Sequence, residues 1–369
     1  MKLSTSTAVI SIAVISSYSI AIVPDTHAYT AQQPIVSTQN IALTQDTQRQ
    51  ADELLTSGNK RFINRDYAGA IADFSAAIKL NSKFEKAFFN RGISYDRLSD
   101  RRNAIEDYTQ VVILNSRNAY GYFNRAVARE KIADKPGALA DFSQAIEVDP
   151  NYVDAYLNRG NLRDTLGDLK GANADFSQAI KIKPNEPDAY LNRGWIRYKL
   201  VDKKGAIEDY TQAITVNPKY YLAYNNRAWT KADLGDTKGA MADYDRAIAL
   251  NPNYYLSYYN RGNTRRRFGD YGGAIADYTK TIEIKPNYAF AYNNRGLAQK
   301  RLKNQTAAVA DYDLAIKFNP DFAESYYNRG AIRREQKDRA GATKDFQTAA
   351  KLYQQQGYKQ EAADRKSVV

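Results

Sequence analysis

VDAYLNRGNLRDTLGDLKGANADFSQAIKIKPNE, residues 153–186, is the stretch that decides the fold of this chain. Its first half sets Tyr156, Gly160 and Leu166 at helical spacings with polar residues between them. Gly167-Asp168 then interrupts the pattern. The second half places Ala172, Phe176, Ala179 and Ile180 on one helical face, and Pro184-Asn185 closes it. The stretch therefore reads as helix, tight turn, helix. Its neighbours copy it without an insertion. Asn-Arg-Gly or Asn-Arg-Ala returns every 34 residues, its small residue falling at Gly92, Ala126, Gly160, Gly194, Ala228, Gly262, Gly296 and Gly330, and the same phase lands on Gly58. A fixed period of this kind means one supersecondary unit repeated along a line, each unit touching only its neighbours. The expected fold is an all-α solenoid of nine helix pairs over residues 51–356, with units starting at 51, 85, 119, 153, 187, 221, 255, 289 and 323.

Columns through the units carry the local chemistry. Position 16 is Asp66, Asp100, Asp134, Asp168, Asp202, Asp236, Asp270, Asn304 and Asp338, each an expected N-cap for the second helix. Pro136 follows Asp134 by two residues, inside a first turn where its missing N–H costs little. Position 20 is alanine in every unit, from Ala70 to Ala342, and is expected to face the Gly or Ala of position 8 where two helices touch. Position 24 is aromatic throughout, from Phe74 to Phe346. Small residues meeting large ones in register fill a stacked helical core.

These columns resemble the tetratricopeptide repeat: the 34-residue period, an aromatic at position 4 in most units, Gly or Ala at 8, Ala at 20, an aromatic at 24, Ala at 27 in most units and Pro at 32 in six. The resemblance implies a right-handed superhelix whose first helices line a concave groove. It also implies a protein-binding scaffold rather than an enzyme. The chain departs from the family pattern in several columns. Position 7, usually leucine, is Arg in eight units, and position 11, often Tyr, is mostly Arg or Lys; Val111 and Thr281 replace Ala at 27. Family members that bind acidic chaperone tails use lysine at position 5. Here that column holds residues such as Phe89, Leu157 and Asn225, so such tails are not expected as ligands.

Composition narrows the function classes. The chain has 369 residues, 53 Lys+Arg against 41 Asp+Glu and a formal charge of +12. That balance admits acidic protein or an anionic lipid surface as partner, and it also aids solubility. With no cysteine there is no thiol nucleophile and no thiolate metal site, and the single histidine is His27. No catalytic residue, cofactor or metal is expected, although a carboxylate-based enzyme or regulatory subunit stays as an alternative. No nucleic-acid motif accompanies the basic charge, and nucleic acid is not an expected partner.

Residues 1–28 read as a secretory signal. Lys2 precedes an apolar run from Ala8 to Val23, Pro24 breaks it, and Thr26-His27-Ala28 offers small residues for cleavage after Ala28. The run is shorter than the roughly 20 residues a spanning helix needs, which favours cleavage over an uncleaved membrane anchor. The expectation is an exported protein in a periplasm-like, lumenal or extracellular compartment. Residues 29–50, rich in Thr and Gln, read as a flexible linker, and residues 357–369 as a polar cap or tail.

Four constellations stand out, each with two readings. Arg at position 7, from Arg91 to Arg329, can pair inside its unit with Asp at position 23, from Asp73 to Asp345, or bind a ligand. Asparagine at position 6, including Asn192, Asn226 and Asn260, can hold a peptide backbone in the groove or bond a neighbouring repeat. Trp195 and Trp229 sit at position 9 of adjacent units, with Tyr198, Asn225 and Tyr259 at nearby groove positions. They form either a peptide- or partner-binding hot spot or packing between repeats. Arg265, Arg266, Arg267, Lys300 and Arg301 lie near the C-terminal ends of first helices, where they either complement the helix dipole or bind anions.

Overall fold

The computed structural model describes residues 45–357. All regular secondary structure among them is helical, in eighteen helices divided between two compact units. The amino-terminal unit, ending at Leu200, holds α1 (Gln45–Ile63), α2 (Tyr67–Leu80), α3 (Glu85–Arg97), α4 (Arg101–Leu114), α5 (Ala119–Lys131), α6 (Lys135–Val148), α7 (Val153–Thr165), α8 (Leu169–Ile182) and α9 (Pro187–Lys199). The carboxy-terminal unit, from Val201, holds α10 (Lys203–Val216), α11 (Tyr221–Asp233), α12 (Thr237–Leu250), α13 (Tyr255–Arg267), α14 (Tyr271–Ile284), α15 (Ala289–Arg301), α16 (Gln305–Phe318), α17 (Ala323–Glu335) and α18 (Arg339–Gln355). The signal read at 1–28, the linker as far as residue 44 and the tail from 358 lie outside the described residues. Residues 45–50, read as the end of the linker, are the first turns of α1. Asp46 accepts there from Arg49 and Gln50, and Asn81, the C-cap of α2, donates to Gln48 at 3.0 Å. None of the described helices is long and apolar enough to cross a membrane.

The turn inside each repeat explains why two helices reverse so tightly. In the type stretch the Gly167 N–H donates to the Asp164 carbonyl at 3.0 Å and the Asp168 N–H to the Arg163 carbonyl at 2.9 Å. This pair of bonds closes α7 with a left-handed residue, Gly167 at φ +83°. Asp168, the last residue of that closure, is at once the N-cap of α8 and accepts from the Gly171 N–H at 2.9 Å. One residue thus ends one helix and starts the next. Eight of the nine position-16 residues cap in this way; Asn304 does not, because its amide turns back to the Gln299 side chain at 2.9 Å.

Alanine at position 20 is fully buried in eight units and 3% exposed at Ala342. Ala228 at position 8 and Ala240 at position 20 belong to one buried core with Tyr244, as Ala126 and Ala138 do with Phe142. The aromatic ring of position 24 also lies over position 8. A β-carbon built on Gly92 would stand 2.8 Å from the Tyr108 ring, and one on Gly262 2.9 Å from Tyr278. The ring occupies the volume a side chain would need, so the column stays small. Within each unit consecutive first helices also touch: α1 with α3 and α7 with α9, then α11 with α13, α13 with α15 and α15 with α17. No pair of second helices comes as close among the described residues. The row of first helices is therefore the tighter side of each unit.

Candidate interaction surface

The first helices of each unit carry the sequence-predicted site residues, and the arginine column sets their surroundings. Arg159 of α7 donates from Nη2 and Nε to both oxygens of Asp175 on α8, at 2.7 and 3.0 Å. Its Nη1 reaches back to the Ser143 hydroxyl of the preceding repeat at 3.1 Å, and its guanidinium lies 5.7 Å above the Tyr156 ring. Arg91, Arg125, Arg227, Arg261, Arg295 and Arg329 repeat this pairing with Asp107, Asp141, Asp243, Asp277, Asp311 and Asp345. Arginine replaces the family's leucine because its planar head stacks on the position-4 ring while its fork satisfies a buried carboxylate. The Asp107 carboxylate raises the Arg91 guanidinium further above its usual range. The column is therefore internal. Its contact with the previous repeat escaped the sequence reading, although the signal was present: position 25 is Ser, Thr or Asp in eight units, from Ser75 to Asp313.

The asparagines predicted for the groove are closed as well. Asn192 is 1% exposed and donates to Asn161 of the previous repeat at 3.1 Å. Asn225, Asn226 and Asn260 are fully buried; Asn225 donates to Asn226 at 3.1 Å, and Asn260 donates to Asn225 at 3.3 Å. The close approach of consecutive first helices turns these amides toward one another. These three bonds run to neighbouring side chains. Tyr259 is buried between Tyr278 and Tyr288, with its hydroxyl accepting from Asn294 at 3.0 Å. Burial pushes its phenol well above the usual range.

Three of the predicted peptide- or partner-binding residues reach solvent. Trp195 and Tyr198 lie together on α9, half-buried, with rings stacked at 5.9 Å and nearly parallel. Lys199 places its ammonium 4.9 Å from the Trp195 ring centre and pairs with Asp164 at 2.6 Å. Trp229 is half-buried on α11, in the carboxy-terminal unit.

Of the five candidate anion-binding residues, three have carboxylate partners. Arg265 pairs with Asp277 at 2.9 Å, Arg267 with Asp233 at 3.6 Å and Lys300 with Glu335 at 3.0 Å. Arg266 lies against the buried Tyr278. Arg301 is exposed at the end of α15. The position-11 column explains Arg265: Arg129, Arg163 and Arg333 likewise add a second cation to the carboxylate that the position-7 arginine holds.

Comparison with known proteins agrees with this architecture. Family models described as tetratricopeptide repeat match residues 131–187, 157–219 and 291–322, and one described as TPR repeat matches residues 230–267 and 262–303. These stretches carry tetratricopeptide repeats. A solved tetratricopeptide repeat protein from Parabacteroides merdae is 19% identical, spans 68% of this chain and 99% of its own, and superposes with a TM-score of 0.53, which shows the same fold. YrrB, described as a TPR protein with an unusual peptide-binding site, is 24% identical over 51% of this chain and 96% of its own, with a TM-score of 0.43. MamA is 28% identical over 45% of this chain and 96% of its own, with a TM-score of 0.41. No curated protein matches the chain.

Proposed function

We propose that this chain of tetratricopeptide repeats is a non-catalytic scaffold that binds an extended segment or a helix of a partner protein along the first helices of its units. The observation that carries the reading is the contrast among the predicted site residues. Asn192, Asn225, Asn226, Tyr259 and Asn260 are closed between repeats, whereas Trp195, Tyr198 and Trp229 remain half-exposed on first helices. Large rigid rings that are already partly desolvated bury more area at little cost in side-chain freedom, which is what interface hot spots require. The stack of Trp195 on Tyr198 fixes one such ring before any partner arrives. The tryptophan-bearing helices are the support for peptide or helix capture; the polar columns give none. We extend the proposal to an exported protein, on the sequence of residues 1–28.

The experiment is capture of partners by the chain isolated from its own cells, with Trp195→Ala/Trp229→Ala beside the unaltered protein. A partner held by the unaltered chain and lost by the variant, at equal melting temperature, is the expected result. Identical partner sets on both would sink the site. N-terminal sequencing of the same material reads the export step: Tyr29 as first residue is expected, and Met1 overturns cleavage.

A further inference from the structure

The net positive charge of the carboxy-terminal unit is concentrated on one edge. Four turns join first to second helices or lead into them, at 231–239, 265–273, 299–307 and 333–341. Together they hold 12 Lys and Arg against 5 Asp and Glu. The four connections at the other edge, 214–223, 248–257, 282–291 and 316–325, hold three of each sign. The helix dipole accounts for the eight cations in the last turns of α11, α13, α15 and α17, but not for Lys238, Lys303, Lys337 and Arg339, which lie beyond those ends. Cations stabilise the C-terminal end of a helix and oppose its N-terminal end. Yet Lys203 and Lys204 open α10, Lys238 lies in the first turn of α12 and Arg339 opens α18, and none of α10, α12, α14, α16 and α18 has an acidic residue in its first turn.

The turn geometry points the same way. The residue that reverses the chain has positive φ, which glycine adopts freely at 235 and 269; at the next two turns it is Lys303, φ +63°, and Lys337, φ +65°. Two cations therefore sit at the tips in a conformation that lysine disfavours. Arg301, Lys303, Lys337 and Arg339 are exposed and make no ion pair among the described residues. Three of the four turns also present an apolar side chain. Leu234, Phe268 and Leu302 are 48%, 46% and 45% exposed. A β-carbon built on Gly235 or Gly269 meets nothing within 4 Å, so these tips stand in open space instead of lining a groove.

We infer that this edge of the carboxy-terminal unit docks on an anionic lipid surface, with Leu234, Phe268 and Leu302 entering the headgroup boundary and the turn cations meeting the phosphates. Charge complementarity selects an anionic partner, and each nearby Lys or Arg strengthens attachment to such a surface. Protruding apolar tips among cations, repeated at successive turns, suit a laterally continuous interface that accepts both groups. An acidic protein segment needs the cations and not the tips. Leu234, Phe268 and Leu302 follow the C-terminal ends of first helices, whereas Trp229 lies within α11, so the edge gives this unit a second surface.

Sedimentation of the full chain with vesicles tests this, using phosphatidylcholine alone or mixed with phosphatidylglycerol. Any binding contributed by the apolar run at 8–23 is common to all variants and is read from the neutral vesicles. The unaltered chain is expected to bind the anionic vesicles at least about tenfold better than the neutral ones, and to lose that margin on going from about 0.1 M to about 1 M salt. Arg301→Glu/Lys303→Glu is expected to lower anionic-vesicle binding by about tenfold or more, and Phe268→Ser by several-fold. Lys317→Glu, on the other edge, and Trp195→Ala/Trp229→Ala are expected to leave it unchanged. All these positions reach solvent, and unchanged melting temperatures verify folding. Equal loss from Lys317→Glu and from the edge variant overturns the proposal. So does full competition by soluble polyglutamate with no effect of Phe268→Ser, which would assign the edge to an acidic protein instead.

Discussion

At position 7 one arginine holds three things at once: the aspartate of its own repeat, the hydroxyl of the repeat before it and the ring one turn back along its helix. Arg159 shows the arrangement, with Asp175 2% exposed, Ser143 on α6 and Tyr156 beneath the guanidinium. Replacement by an apolar residue of similar length keeps the stem packing and strands the carboxylate, although Arg163 still reaches Asp175 at 2.9 Å. Arg159→Met is therefore expected to lose about 2–4 kcal/mol in denaturant unfolding, below the full loss of a lone buried pair because the second cation remains. A midpoint equal to that of the unaltered protein would remove the ladder from the account of stability. The intra-repeat half of this contact was legible in the sequence, since every Arg has an Asp sixteen residues on. The backward bond to position 25 was harder to read, because it depends on how the next unit stacks.

Helix pairs owe their tight reversal to a turn in which closing bonds and a cap share a residue. That chemistry is local, so the Asp column at position 16 announced it directly. Asn304 is the exception, and its reason lies in a competing partner: the amide donates to Gln299 and leaves the α16 amides without a side-chain cap. A carboxylate cannot donate to Gln299 and faces only the helix N–H groups. Asn304→Asp is expected to stabilise the carboxy-terminal unit by about 0.5–1 kcal/mol, read as a higher unfolding midpoint with an unchanged denaturant slope. A lower midpoint would show that the bond to Gln299 matters more than the cap.

Across the whole chain the aromatic of position 24 is Phe in four repeats and Tyr in five, and the tyrosines give the solenoid a common response to base. Burial raises the Tyr108, Tyr278 and Tyr312 phenols above their ordinary value of 10.0. The unfolded chain ionises there first while the folded chain keeps its protons. The stabilisation is complete below pH 10 and is lost as pH climbs beyond it. Thermal midpoints followed upward from pH 9 should fall steeply beyond 10, and Tyr278→Phe/Tyr312→Phe should flatten the fall. Identical profiles would sink the claim.

The sequence by itself determined the 34-residue period, the helix pairs, their caps and the Arg–Asp pairs, because each is written within one unit or one turn. Tertiary structure alone decided which columns reach solvent. A strict period assigns Asn192, Asn226 and Asn260 the same helical face as Trp195 and Trp229, and nothing in the period separates inside from outside. Close packing of consecutive first helices does so: it closes the short amides between repeats and leaves the large tryptophan rings at the surface. The same stacking gathers cations that look scattered along the chain onto one edge, because residues 34 apart become neighbours only when the repeats pack.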